Sequence, residues 1–212
     1  MERSNKMRVA AIQMNSGPDV EANLELADGL LADASADDCD LVVLPENFAL
    51  MPEHGRDKAR HAEKPGEGPI QAFLSDAAVN HNLWIIAGSM PLVSPGIDRQ
   101  RVYGACLVID NHGKEQAIYR KIHLFDVDLV EKGESYRESN SMYPGDELVS
   151  VDTPAGRVGL SICYDLRFPE LFRRLVDEGA TVFTVPAAST ATTGEAHWHT
   201  LLRARAIENL AY

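Results

Sequence analysis

Short β-rich runs alternate with longer segments of helical period along this chain, and that alternation limits the fold to layered α/β architectures. Residues 7–14 read as a first strand, closed by Ser16-Gly17-Pro18. From Asp19 onward Val20, Leu24, Ala27, Leu31 and Ala34 recur at helical spacing. Leu41–Leu44 is an uncharged, buried-type strand that runs into Pro45-Glu46. A helix is predicted over residues 69–82, followed by a strand over 83–90. Residues 102–110 and 116–121, joined by Asn111-His112-Gly113, read as a hairpin. Strands over 157–162 and 181–185 then flank a helix over 169–177. Crossovers combined with a hairpin imply mixed sheets between helical layers.

Two segments break the pattern. Residues 123–146 are polar and show no period, which in a compact domain marks a functional or mobile stretch. The last helix opens at Thr192-Thr193-Gly194-Glu195, where Thr192 and Glu195 have capping-box spacing, and its predicted buried stripe is Trp198, Leu201, Leu202 and Ala206. No Gly, Pro or polar tail stops that helix before Tyr212. The expectation is therefore one domain over residues 1–212 whose C-terminal part is missing.

Composition excludes several classes. With 32 acidic against 20 basic side chains the formal charge is −12, which opposes duplex nucleic acid or anionic lipid as a partner. No apolar run approaches the roughly 20 residues that cross a bilayer. The opening Met1-Glu2-Arg3-Ser4-Asn5-Lys6 does not resemble a signal peptide. Three scattered cysteines, Cys39, Cys106 and Cys163, make neither a disulfide framework nor a zinc ribbon, and point to a reduced, cytoplasmic setting.

Three residues combine reactive chemistry with strand-end positions. Cys163 stands between a buried strand and a coming helix, where a helix N-terminus would favour thiolate; a buried structural cysteine is the alternative, and the one assigned to Cys39 and Cys106. Glu46 ends an uncharged run, so partial desolvation suits it to general-base work, unless it is a solvated strand-end charge. Lys121 ends another strand and is either an oxyanion-stabilising ammonium or a rim lysine. No Gly-x-Gly-x-x-Gly, phosphate loop or Gly-x-Ser-x-Gly occurs.

Taken together, Leu44-Pro45-Glu46-Asn47-Phe48, the run from Tyr119-Arg120-Lys121 to Asp126, and the run from Ile162-Cys163-Tyr164 to Leu171 resemble, in order, the signature segments of the nitrilase (carbon–nitrogen hydrolase) superfamily. Residues 192–209 also look like that family, within its Nit-type amidase branch. The resemblance implies an αββα sandwich with Glu46 as general base, Lys121 as oxyanion-stabilising lysine, Cys163 as nucleophile and Glu138 as a second glutamate of the site. It implies a cysteine-dependent amidase acting through a thioester on a small carboxylic-acid amide, with deaminated glutathione ahead of an omega-amide, no metal or organic cofactor, and a homodimer. The backbone N–H of Tyr164 would complete the oxyanion site. Arg167 either orients a substrate carboxylate or pairs with Glu170. Thr192 either touches substrate or caps the last helix, and Phe48 either lines the pocket or packs in the core.

Rival readings are a Cys-His thiol enzyme using His123, His197 or His199, and an inactive truncated module with a binding or oligomerisation role. His197 and His199 lie two apart on a helix and so face different ways, which makes a poor metal pair.

Overall fold

The uncharged strand β2 (Leu41–Leu44) is buried along most of its length, as an interior parallel strand must be. It lies between β1 (Val9–Ala11) and β3 (Trp84–Val93), both parallel to it. The hairpin β4 (Val102–Ile109) and β5 (Glu115–Arg120) extends this sheet antiparallel, in the order β1-β2-β3-β4-β5. A second sheet places β9 (Gly156–Leu160) between an antiparallel β8 (Ser150–Thr153) and a parallel β10 (Val182–Thr184). These coordinates come from a computed structural model that describes residues 7–54, 56–94, 100–129 and 133–212; the charged opening hexapeptide lies outside the described residues.

Packing gives four layers. Helices α1 (Val20–Ala36) and α3 (Pro69–His81) set Ala27, Leu31, Leu74 and Ala78 against Val42, Leu44 and Ile85 of the first sheet. The opposite face of that sheet, through Leu41, Ile86, Cys106, Val108 and Tyr119, meets Val158 and Leu160 of the second. Helices α4 (Pro169–Asp177) and α5 (Ala191–Asn209) close the far side through Phe172, Leu175, Trp198 and Leu201. This is the expected αββα order. A single turn, α2 (Asp57–Arg60), packs beside β3.

Local chemistry explains most boundaries. Asp19 caps α1 by accepting from the Ala22 N–H at 3.2 Å. Asn82 ends α3 in a left-handed conformation, φ 52°. Pro169 occupies the first turn of α4, where its missing N–H costs nothing.

The structure corrects four sequence expectations. The segment over 123–146 contains the hairpin β6 (Asp126–Leu129) and β7 (Glu134–Arg137), then a 3-10 turn at Glu138–Asn140; strands of four mostly exposed residues are too short to show a period. For the same reason β8 has no readable signal. Helix α5 begins at Ala191 with Thr190 as its cap, so the Thr192–Glu195 capping box does not form. Its end is set by a left-handed Leu210 rather than by a glycine, after which Tyr212 exchanges backbone hydrogen bonds with Thr181 and Phe183 beside β10. Along α5 the buried positions are Arg205 and Asn209, while Trp198, Leu201, Leu202 and Ala206 are half-buried.

One glycine fixes how the first sheet meets the site. Gly88 sits where the β3–β4 register shifts, and a Cβ there would lie 2.1 Å from the carbonyl oxygens of both Leu44 and Pro45. Backbone cannot yield as a flexible side chain can. Gly88→Ala is expected to destabilise the fold by about 1–3 kcal/mol, read by chemical denaturation; an unchanged midpoint would contradict the close approach.

Candidate active site

Glu46, Lys121 and Cys163 each follow a strand: Glu46 two residues past β2, Lys121 directly after β5, and Cys163 three residues past β9. Pairing through β3 and β4 makes β5 run in the same sense as β2, so Glu46 and Lys121 leave the first sheet at one end. Carboxyl ends of strands are where α/β folds gather ligand sites.

Lys121 is 2% exposed, and its ammonium donates to Glu46 Oε1 at 2.8 Å and to Glu138 Oε1 and Oε2 at 3.1 and 2.9 Å. The irregular segment thus delivers Glu138 to the same ammonium. Glu138 is itself held by the Phe125 N–H, which donates to Oε2 at 2.7 Å. The second oxygen of Glu46 accepts from the Ala188 N–H at 2.8 Å. Burial alone would discharge Lys121, but the two carboxylates outweigh it and hold its pKa raised. Burial would likewise push Glu46 up; the charge and hydrogen bond of Lys121 prevail, and its pKa is lowered.

Cys163 adopts φ 48°, a conformation that costs a non-glycine residue energy and persists only where its surroundings enforce it. Its N–H donates to the Pro186 carbonyl at 2.9 Å, and its sulfur lies 3.9 Å from Ser189 Oγ. A helix-terminus thiolate was one expectation here. Instead, burial and then the charge of Glu46 push the thiol pKa up, against the opposing pull of Lys121. The residue opens a 3-10 turn (Cys163–Arg167) rather than an α-helix. The resting group is a thiol beside an ionised carboxylate.

Asp165 keeps this arrangement in register. Fully buried, its carboxylate accepts from Tyr119 Oη at 2.6 Å, the Ile162 N–H at 2.8 Å, and the His123 N–H and Nδ1 at 2.9 and 2.7 Å. Tyr119 and His123 flank Lys121 by two residues on either side, and Ile162 precedes Cys163. One carboxylate therefore ties the Cys163 turn to the Lys121 strand. His123 is spent on this contact and on stacking against Phe168, with centroids 3.6 Å apart. Sequence reading passed over Asp165, although a carboxylate two residues after the cysteine, in an otherwise apolar run, is a recognisable capping signal.

A cavity of about 320 Å³ opens over these groups, a size suited to a small molecule. Glu46, Lys121, Glu138 and Cys163 lie on its floor, with Tyr164, Phe125, Tyr136 and Trp198 as aromatic walls and Arg137 and Arg167 as cations. Arg167 donates toward His197 Nδ1 at 3.1 Å and lies near the Tyr164 ring; it makes no ion pair with Glu170 among the described residues. Two expected contacts fail. Phe48 is fully buried in the core below, because Asn47 turns the chain with φ 59° and it is Asn47 that reaches the cavity. Thr192 is exposed and off the cavity; with the helix starting at Ala191, Thr190, Thr193 and Gly194 face inward instead.

The model of the carbon-nitrogen hydrolase family matches residues 8–212. The chain belongs to that family. Deaminated glutathione amidase of Yersinia enterocolitica is 42% identical over 201 residues, spanning 95% of this chain and 69% of that protein. An omega-amidase of Saccharomyces cerevisiae is 36% identical over 216 residues, spanning 99% of this chain and 72% of the yeast protein. Among solved structures, the Caenorhabditis elegans NitFhit protein superposes with a TM-score of 0.86 at 37% identity, covering 96% of this chain and 49% of the worm protein. The chain thus spans about half of one relative's length and about seven-tenths of the others'. With amidases at this identity, this carbon–nitrogen hydrolase acts on carbon–nitrogen bonds other than peptide bonds.

Asp165→Ala removes the shared acceptor of four donors. A loss of about 3–5 kcal/mol in unfolding free energy is expected, since the buried Tyr119 hydroxyl and Ile162 N–H are left unpaired; a loss under about 1 kcal/mol would show that the two segments do not depend on it.

Proposed function

We propose that this protein is a cysteine-dependent amidase whose reaction runs on Glu46, Lys121 and Cys163. The observation that carries the reading is the buried Lys121 ammonium, bound by both Glu46 and Glu138 beside a thiol in an accessible cavity. An amide is a poor electrophile with a poor leaving group, and covalent catalysis divides that difficulty. Glu46 takes the thiol proton as sulfur attacks the carbonyl carbon, and the tetrahedral oxyanion is held by Lys121 and the backbone N–H of Tyr164. Protonated Glu46 returns its proton to the departing nitrogen as the C–N bond breaks, leaving a thioester. Water, deprotonated by the same carboxylate, attacks the thioester and releases the acid and the thiol. Glu138 holds Lys121 in place and charged.

Deaminated glutathione is the substrate we propose. Support comes from relatives at 38–42% identity that bear that activity in their names, and from the aromatic walls and two cavity arginines, which suit an amide carrying carboxylates. The yeast omega-amidase, at 36% identity, favours a second reading, a smaller dicarboxylic-acid amide. Arg167 is the proposed carboxylate contact in either case. A reducing, cytoplasmic setting fits the three free thiols. A homodimer is the assembly that the family resemblance suggests.

Release of amine or ammonia from deaminated glutathione, α-ketoglutaramate and succinamate tests the reading. Wild type is expected to turn over deaminated glutathione with the highest kcat/KM, and Cys163→Ala to lose on the order of a thousandfold or more in kcat. Retained hydrolysis in the alanine variant would remove Cys163 as nucleophile. A preference for α-ketoglutaramate would move the assignment to the omega-amidase reading, and inertness toward the whole panel would leave a binding module.

A further inference from the structure

Two arginines reach the cavity, and the reading above gives a separate task to only one of them. Arg167, in the 3-10 turn, has its guanidinium 5.7 Å from the centre of the Tyr164 ring. Arg137 ends β7, and its Nη1 donates to the Tyr136 carbonyl at 2.7 Å. Phe125 stands between Tyr164 and Tyr136, its ring centroid 5.2 Å from each of theirs. The two cations therefore stand at opposite ends of a wall of three rings. That placement suits two separated anions rather than one.

Arg137 is held in place but not used up. Its Nη2 donates to both carboxylate oxygens of Asp128, across the hairpin in β6, at 2.8 and 2.7 Å. Arg137 lines the cavity and Asp128 does not. Their side chains are 42% and 55% exposed, and an ion pair so open to water is weak and readily exchanged. Asp128 thus aims the guanidinium without claiming it. Among the described residues the Arg137 Nε–H has no acceptor at all, and a fork of this kind is well matched to a carboxylate.

Deaminated glutathione, a 2-oxo acid joined by an amide to cysteinylglycine, carries a carboxylate on each side of the bond that breaks. An omega-amide carries one, on the acyl side, and its leaving group is ammonia. With Arg167 on the acyl carboxylate, the second cation has a partner in the first substrate alone. We propose that Arg137 binds the terminal carboxylate of the departing amine, and so selects acylated dipeptides over simple primary amides. The inference rests on the amidase reading and deepens it, by naming the residue that separates its two substrate classes.

The test compares deaminated glutathione with its C-terminal N-methylamide, which lacks only the terminal carboxylate, each followed by release of the cysteinyl amine. Wild type is expected to favour the acid by about tenfold or more in kcat/KM, the size of one hydrogen bond to a charged group. Arg137→Met is expected to bring that ratio close to one. Arg167→Met is expected to slow both substrates and leave the ratio standing. Each ratio is taken within one variant, so any damage that Arg137→Met does to the neighbouring Glu138 cancels. If Arg137→Met does not fold by circular dichroism, Arg137→Gln is read in its place. A wild-type ratio near one, a preference that survives the loss of Arg137, or one lost only with Arg167 overturns the inference and leaves the amidase reading intact. Hydrolysis of α-ketoglutaramate with neither acylated dipeptide turned over does the same. Inertness of the wild type toward all three overturns both.

Discussion

A lysine buried to 2% exposure between two carboxylates is the constraint around which the site is built. None of the three charges is tolerable alone in that setting, because removing an ion from water costs several kcal/mol unless partners replace the lost solvation. Each therefore depends on backbone that delivers the others. Glu46 arrives through the Pro45 turn that Gly88 leaves room for, Lys121 through the end of β5, and Glu138 through a turn behind the β6–β7 hairpin. Arrangements of this kind add little net stability. What they contribute is a fixed relative position for groups that must act together.

The thiol is fixed by a different device. Its left-handed backbone is unfavourable by itself, and the hydrogen bonds of Asp165 to Ile162, Tyr119 and His123 brace the turn that contains it. The bonds from Tyr119 and His123 join that turn to the end of β5, beside the apolar interface in which Tyr119 packs with Val158 and Leu160. Core packing and active-site geometry are therefore coupled through one tyrosine, apolar in its body and hydrogen-bonded at its tip.

Much of this was legible in the chain itself. Uncharged β2, the Asn111-His112-Gly113 hairpin and the helical period after Asp19 announced the layers, because each has enough residues for its period to show. The three reactive residues stood out by their strand-end positions, and the motif resemblance joined them. What escaped had physical reasons. Strands β6, β7 and β8 are four residues each, too short for a pattern. The start of α5 moved because Thr190 and Thr192 are equally able caps, and only tertiary packing selects between them. Phe48 next to a catalytic-type glutamate invited a pocket role, but a left-handed Asn47 reverses the direction of the side chain.

The opposed shifts of Glu46 and Cys163 also bear on how the proposed reaction is timed. With the carboxylate pKa lowered and the thiol pKa raised, the proton stays on sulfur in the resting site, which protects the thiol from indiscriminate electrophiles. Transfer becomes favourable only when something changes the balance. Lys121 is the group placed to change it, because its charge is the chief cause lowering the Glu46 pKa, and in the proposed reaction it is also the donor to the oxyanion. In the proposed reaction, as negative charge develops on the substrate oxygen, Lys121 would divide its hydrogen bonds between that oxygen and Glu46, and the carboxylate would become a stronger base at the moment the sulfur must lose its proton. Activation of the nucleophile is then coupled to formation of the tetrahedral adduct, and the stabilisation is realised in the transition state more than in the resting enzyme.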